Sequence, residues 1–472
     1  MLGLFGLTTA YYLCKKGLNV IVLDKSEIGV KASGHTTAKI TSQHGLIYKY
    51  LVHDFGIDIA KKYLNANEEA IKNIKHIIEE EKIECNFVSQ SNFIYGLSPE
   101  EIEKIKDETE CVKSLGFDAL FIENLPVPFK NNGAIMFPNQ AMFHPRKYML
   151  GLCESIQKNK GQIFTNTTVY DVKNKKNEYE IYTKNNTVKS KYVVLASHYP
   201  IINFPGFYFT KMYQETSYII GVNTHSAAFD GMYINSVPPT YSYRWVKDED
   251  KQILLIGGAG HKTGEESITP ASTYEILEQN AKELYPNSEI IYRWNTRDCI
   301  TLDKVPYIGE FSNMMPNMYV GTGFNKWGMT SSNVAANIIV DKILGIKNKY
   351  EEAFTSTRLK PVKNRWEMKD MLKQVTNSLI IERLKIPDET LNSIKNDTDK
   401  IVEIDGHKVG IYKDMSGKIF TIKPTCSHLG CALSWNNVDK TWDCPCHGSR
   451  FDYTGKNIYD PAIKDLECYY SD

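Results

Sequence analysis

Four of the chain's ten cysteines, Cys426, Cys431, Cys444 and Cys446, crowd into a short stretch near its end with two histidines among them. Cys426-Ser427-His428 is followed, after a loop, by Cys444-Pro445-Cys446-His447-Gly448-Ser449. Two loops that each give one cysteine and one histidine suit a [2Fe–2S] cluster in which one iron takes two thiolates and the other two neutral imidazoles. The Cys-x-His and Cys-x-x-His spacings let each loop reach both irons without backbone strain. The candidate ligands are Cys426, His428, Cys444 and His447. Two cysteines and two histidines also suit tetrahedral zinc, although Cys-x-His makes a poor zinc knuckle. Turn signals at Asp405-Gly406 and Ser416-Gly417 break the flanking apolar runs, as in a small all-β module.

These residues resemble the Rieske proteins of cytochrome bc-type complexes, through Cys-Ser-His-Leu-Gly-Cys at 426–431 and Cys-Pro-Cys-His-Gly-Ser at 444–449. The resemblance covers 386–472. It implies a disulfide between Cys431 and Cys446 that pins the two cluster loops together. It also implies that Leu429 shields the cluster from water, that Ser449 donates a hydrogen bond to a bridging sulfide, and that Asp460-Pro461-Ala462 is a proline loop over a third side. One position departs from the pattern: where the respiratory proteins carry a tyrosine that bonds a ligand sulfur, this chain has Phe451. Hydrogen bonds to the sulfurs raise the potential, so this cluster is expected to sit lower than the respiratory ones.

The rest of the 472 residues must form at least one further core. Gly3-Leu4-Phe5-Gly6 stands ahead of a helix expected over 6–16, and Leu18 to Asp24 follows as an apolar, β-branched strand closed by an acid. This is the second half of a dinucleotide fingerprint, in which glycines precede a helix that holds a pyrophosphate and a ribose-binding acid follows about 20 residues on. The first glycine and the whole first strand are absent, and the expectation is that the coding sequence begins upstream of Met1. Ser33-Gly34-His35-Thr36-Thr37-Ala38-Lys39 is a hydroxyl-rich loop of small residues able to approach phosphates and flavin. Tyr319 to Thr330 reads as a strand, a glycine-rich turn and a helix start.

Together these segments resemble the D-amino-acid-oxidase superfamily of FAD-dependent oxidoreductases, in the subgroup fused to a C-terminal Rieske domain. That likeness covers essentially the whole chain, Thr301 to Gly309 included. It implies that Gly3, Gly6, Asp24, Lys25, Thr36, Thr37, Val169, Ala196, Gly323, Trp327, Gly328 and Met329 line the FAD. The expected fold is an α/β, Rossmann-like FAD-binding domain with an inserted mixed β-sheet substrate domain, plus a small all-β Rieske domain. The oxidoreductase part spans 1–350, with FAD-binding pieces at about 1–84, 145–200 and 300–350 and the substrate sheet at about 85–144 and 201–299. A linker follows over 351–385. Within this frame the pattern predicts a long helix over 55–81, one helix between 85 and 203, near Pro145–Asn159, and a last one over 328–344.

Flavin takes a hydride as two electrons, whereas the cluster carries one, and the hard chemistry belongs to these cofactors. The expected sequence is reduction of FAD by a substrate and single-electron transfer through the cluster to an external acceptor. Family likeness points to oxidation of a C–N bond in an amine or amino acid. Tyr241, Tyr243, Arg244 and Arg297 are the candidate substrate-facing residues, since an arginine near flavin is suited to clamping a carboxylate bidentately. His35 and His44 stand near the glycines as structural or flavin-facing histidines. The alternative is an electron-transfer protein without substrate chemistry of its own, its FAD site impaired by the missing strand. A Rieske oxygenase would need a mononuclear iron site of two histidines and a carboxylate, and no such motif is present. Lys plus Arg balance Asp plus Glu at 56 each, which leaves no basic face for nucleic acid. No apolar run nears the roughly 18 residues that span a bilayer. With no signal peptide evident and six scattered cysteines, a cytoplasmic location is expected.

Overall fold

The computed structural model describes residues 2–176, 178–248, 251–263, 270–358, 394–404 and 406–469. Most of the expected linker, from 359 to 385, and the first residues expected for the Rieske domain lie outside the described residues. The helix Leu4–Lys15 buries Leu4, Phe5, Leu7, Ala10, Tyr11, Leu13 and Cys14 on nearly every side. A helix apolar all round belongs in an interior, and this one packs between Gly328–Leu344 and Pro145–Lys158. Gly56, at φ +88°, separates the helix Tyr48–Phe55 from Ile57–Glu80, so the long helix begins at Ile57 behind a shorter one.

The parallel strands form two groups. Ile21–Leu23 lies beside Gln162–Phe164, and Val193–Leu195 beside Met318–Thr322, which Tyr307–Glu310 joins antiparallel. The largest sheet has nine strands. Its path runs Glu289–Thr301, Met212–Asn223, Lys251–Lys262, Tyr241–Asp248, Met232–Asn235, Val88–Tyr95, Ala134–Met142 and Lys39–Ile40, with Leu120–Ile122 also on Ala134–Met142. Two of the elements differ from the sequence reading. Pro99–Ser114 is a second helix in a region where one was expected, and Glu289–Thr301 is a strand that was not foreseen.

The tail folds as two small antiparallel sheets. Thr398–Ile404, His407–Lys413 and Ile419–Ile422 form one; Ser434–Asn436, Thr441–Asp443, Arg450–Asp452 and Asn457–Tyr459 form the other. Trp442, Phe451, Ile422 and Leu466 fill the core next to the four clustered cysteines. None of the helices among the described residues is long and apolar enough to cross a membrane.

Candidate cluster site and flavin cavity

Each cluster loop is a tight turn that needs a glycine. In the first, the Gly430 amide donates to the Cys426 carbonyl at 2.9 Å and the Cys426 amide to that of Cys431 at 2.8 Å. The second repeats the pattern, Gly448 to Cys444 at 2.9 Å and Cys444 to Ser449 at 2.8 Å. Gly430 and Gly448 adopt φ +80° and +75°, which a side chain would strain. Cys431 and Cys446 are disulfide-bonded and tie the turns together. The Cys426 and Cys444 side chains meet in a hydrogen bond, and the Ser449 hydroxyl also bonds Cys426.

His428 and His447 stand with ring centroids 5.2 Å apart, at 89° to one another. The Nδ1 atoms of both are buried and have no partner among the described residues. On the far side of the His428 ring, Nε2 meets Asn203 Oδ1 at 2.7 Å, and His447 is hydrogen-bonded to the Phe209 backbone. Burial pushes His428 down to about 3, helped by His447, and His447 down to about 4. Both imidazoles are thus neutral and oriented by a bond on one nitrogen, with the other open, as metal-ligating histidines are. Two thiols and two open imidazole nitrogens fit the donor set of a mixed-ligand cluster. Cys444 also lies close to Cys431 and Cys446, but sulfurs joined in a disulfide are not thiolate ligands, so those three do not make a second metal site.

A cavity of about 910 Å³ opens between the start of the helix Leu4–Lys15, the loop over 24–39, the turn at 321–329 and the large sheet. Its size lies within the range of cofactor pockets. Gly3, Asp24, Thr36, Thr37, Ala196, Trp327, Gly328 and Met329 line it. The Asp24 carboxylate accepts from the amides of Leu2 and Ser26, and the Ser33 hydroxyl lies 3.2 Å from the Leu4 amide. Four residues expected at the FAD are not part of this wall. Lys25 turns its ammonium to Asn457 at 2.6 Å and Asp460 at 2.8 Å. Val169 packs with the apolar cluster of Leu195 and Tyr179. Gly6 is inside the helix, and Gly323 forms a turn at φ +68° where a Cβ would lie 2.2 Å from Thr301 Cγ2. His44 stacks on Trp327 at 5.0 Å and is tied to Tyr63 and the Thr41 carbonyl, a structural role. His35 is absent from the cavity wall.

The substrate-facing expectations need correction. Tyr243 donates to Asn280 at 2.9 Å and stacks on Phe129, within the apolar layer behind the sheet. Arg297 turns away from the cavity to the tail, its guanidinium 2.7 Å from Asp443. Strand alternation puts its neighbours Thr296 and Asp298 on the cavity side instead. Arg244 is buried behind the cavity wall with Nε and Nη1 unpartnered among the described residues. Tyr241 does line the cavity. The sequence reading gave Lys39 no role beyond its place in the loop and missed His198, Ser242 and Asp298, and all four are in the wall. Lys39 had a signal, since it ends the hydroxyl-rich loop, and its ammonium reaches Ser242 Oγ. Burial and the Arg244 charge push Lys39 down to about 7, and burial pushes Arg244 down to about 9. Asp298 is pushed up to about 6 by desolvation, against the opposing pull of Lys326.

The cluster loops dock on the flavin-binding part through charge. Asp443 receives Arg297 at 2.7 Å and Arg450 at 2.9 Å, and Asn295 donates to Asp439 at 3.0 Å. Asp460, the first residue of the expected proline loop, is held by Lys25 at 2.8 Å and Lys31 at 2.7 Å.

Comparison with known proteins agrees with these two parts. Residues 2–342 match the model of the FAD dependent oxidoreductase family, and 386–470 match the Rieske [2Fe-2S] domain. YhfW of Bacillus subtilis, a Rieske 2Fe-2S iron-sulfur protein by its name, is 36% identical over 466 residues, covering 98% of this chain and 91% of YhfW. Gamma-glutamylputrescine oxidoreductase of Escherichia coli is 20% identical over 370 residues, 74% of this chain and 83% of its own. Among solved structures, glycine oxidase from Geobacillus kaustophilus superposes with a TM-score of 0.63 at 16% identity, over 76% of this chain and 97% of that one, a likeness of fold. The chain therefore belongs to the FAD dependent oxidoreductase family and is an oxidoreductase that binds FAD in its first domain and a Rieske [2Fe–2S] cluster in its last.

Proposed function

We propose that this protein oxidises the C–N bond of an amino acid and passes the electrons singly through the cluster to an external acceptor. The observation that carries the substrate class is a buried cation in the cavity wall, Lys39, with a second, Arg244, buried behind it. Desolvation weakens both, and no carboxylate among the described residues bears on either. Buried charges persist where something neutralises them; a carboxylate entering with the substrate does so. Asp298, in the same wall and raised to about 6, is suited to take the proton of the substrate's ammonium group. Tyr241 and Ser242 border the same space. When bound, FAD accepts the hydride pair and the cluster carries one electron at a time. Cys426, His428, Cys444 and His447 are the residues proposed to hold the cluster. The cysteines outside it, Cys14, Cys85, Cys111, Cys153, Cys299 and Cys468, are free thiols and support a reducing, cytoplasmic setting.

The test is anaerobic bleaching of the flavin by amino acids and by the amines left after their decarboxylation. The reading expects amino acids to bleach it and the matched amines to fall well behind. Equal bleaching by both removes the carboxylate from the proposal. Bleaching by neither, with a normal EPR signal from the reduced cluster, favours an electron-transfer protein reduced by a partner.

A further inference from the structure

The face of the flavin domain that meets the cluster loops carries buried polar groups with no hydrogen-bond partner among the described residues. Tyr199 is 1% exposed. Its ring packs against both cluster histidines, with centroids 5.8 Å from His447 and 6.2 Å from His428. Its hydroxyl is buried and has no hydrogen-bond partner among the described residues. The thiols whose charge bears on that hydroxyl are Cys299 and Cys444, so it lies toward a ligand cysteine as well as toward the histidines. Gln214, on the strand Met212–Asn223, is 2% exposed, and both atoms of its amide are likewise without partners. It presses on the second cluster loop so closely that a Cβ at Gly448 would lie 2.1 Å from its Oε1. Buried donors of this kind are rare and persist where a bound group completes them. The Rieske domain meanwhile has Phe451, fully buried, at the position where its respiratory relatives supply a sulfur-bonding hydroxyl.

We propose that Tyr199 and Gln214 complete the cluster's hydrogen-bond shell from the flavin domain, so that the cluster's reduction potential is set across the domain interface. A donor that reaches the cluster or its ligand sulfurs stabilises the reduced, more negative state and raises the potential. The group that Phe451 lacks is thus supplied by another domain. The supply depends on docking, because neither Tyr199 nor Gln214 belongs to the Rieske fold. This inference rests on the proposed ligand set and is independent of the substrate.

The experiment uses full-length protein with flavin and cluster bound, with iron content measured for each variant. Protein-film voltammetry and the EPR spectrum of the reduced cluster are recorded for wild type, Tyr199→Phe and Gln214→Leu. Tyr199→Phe keeps the ring and removes only the hydroxyl. The expected result is a lower potential in each variant at unchanged iron content, by about a tenfold weaker hold on the electron, or roughly 59 mV for a one-electron couple. Phe451→Tyr placed in the Tyr199→Phe background is expected to recover part of the loss. A potential and EPR spectrum unmoved in both single variants overturns the proposal, as does a fall in iron content without a shift in the potential of the remaining cluster. Both readouts reduce the cluster directly, so failure of every amino acid to bleach the flavin leaves this inference standing, and its failure leaves the substrate reading untouched.

Discussion

Lys39 offers one ammonium to the cavity, and the charge that bears on it, Arg244, is itself buried and weakened by desolvation. If a substrate carboxylate neutralises it, truncation removes a charge-assisted bond in a dry site, worth about 2–3 kcal/mol. Lys39→Met is therefore expected to raise KM for an amino acid by roughly a hundredfold while barely changing the weak reaction of the decarboxylated amine, and steady-state kinetics with both substrates checks this. Asp298 makes a prediction of definite sign. Its acid form is favoured by desolvation, so it is protonated below about 6 and becomes able to accept a proton as pH rises through that value. The wild-type kcat/KM should climb across that window, and Asp298→Asn should lose the climb along with most of the rate; a climb that survives the substitution rules Asp298 out as the base. These two residues were harder to read from the sequence than the cluster ligands for a physical reason. Cys426, His428, Cys444 and His447 declare their chemistry by type and spacing within single loops. What Arg297 or Asp298 faces depends on a strand's register against its neighbours, and one step along the strand exchanges the cavity for the tail.

The second cluster turn is where backbone geometry and domain contact meet. Gly448 and Gly406 share φ +75°, but an added Cβ finds nothing within 4 Å at Gly406 and Gln214 at 2.1 Å at Gly448. Both alanine substitutions carry the left-handed backbone penalty, about 1–3 kcal/mol; only Gly448→Ala also drives the cluster loop off the flavin domain. Thermal unfolding should show a modest loss for Gly406→Ala, and a larger one with altered cluster EPR for Gly448→Ala. Equal losses with unchanged EPR would mean that the Gln214 contact yields freely. The same dependence on neighbours explains which elements the sequence revealed. Gly328–Leu344 was read with its own ends, because a glycine-rich turn precedes it and Gly345, at φ +73°, stops it. Glu289–Thr301 went unseen: Arg297 faces the tail and Thr296 and Asp298 the cavity, so polar residues fall on both faces and no alternation survives. Pro99–Ser114 is mostly charged, and its real signal is the start, Ser98 capping the Glu101 amide with Pro99 in the first turn.

The two redox domains are held together by carboxylates buried among cations, and that choice sets how the protein comes apart. The Arg450 and Arg297 charges hold Asp443 well below its usual range, and Lys31 and Lys25 do the same for Asp460, in both cases against desolvation. A carboxyl depressed on folding contributes stability that is present in full above its unfolded value near 3.8 and fades as pH falls through the folded one. Docking should therefore survive mild acid and fail only below the ordinary aspartate range. The bonds are not equivalent. Arg297→Met leaves Asp443 still paired with Arg450 at 2.9 Å, whereas Asp443→Asn strands Arg297, which is 2% exposed and bonds no other carboxylate among the described residues. Breaking a buried pair in that way costs about 3–5 kcal/mol. Calorimetry at neutral pH should then show one cooperative transition for wild type, a modestly lowered one for Arg297→Met, and for Asp443→Asn a separate, earlier melting of the cluster domain. Lys31 both lines the flavin cavity and grips Asp460, so whatever orders that loop also orders the dock. Removing FAD should lower the melting of the cluster domain through this lysine, and Lys31→Met should make that domain's melting insensitive to FAD. A cluster-domain transition that ignores FAD in wild type would mean that the two cofactor sites share a surface but no energetic coupling.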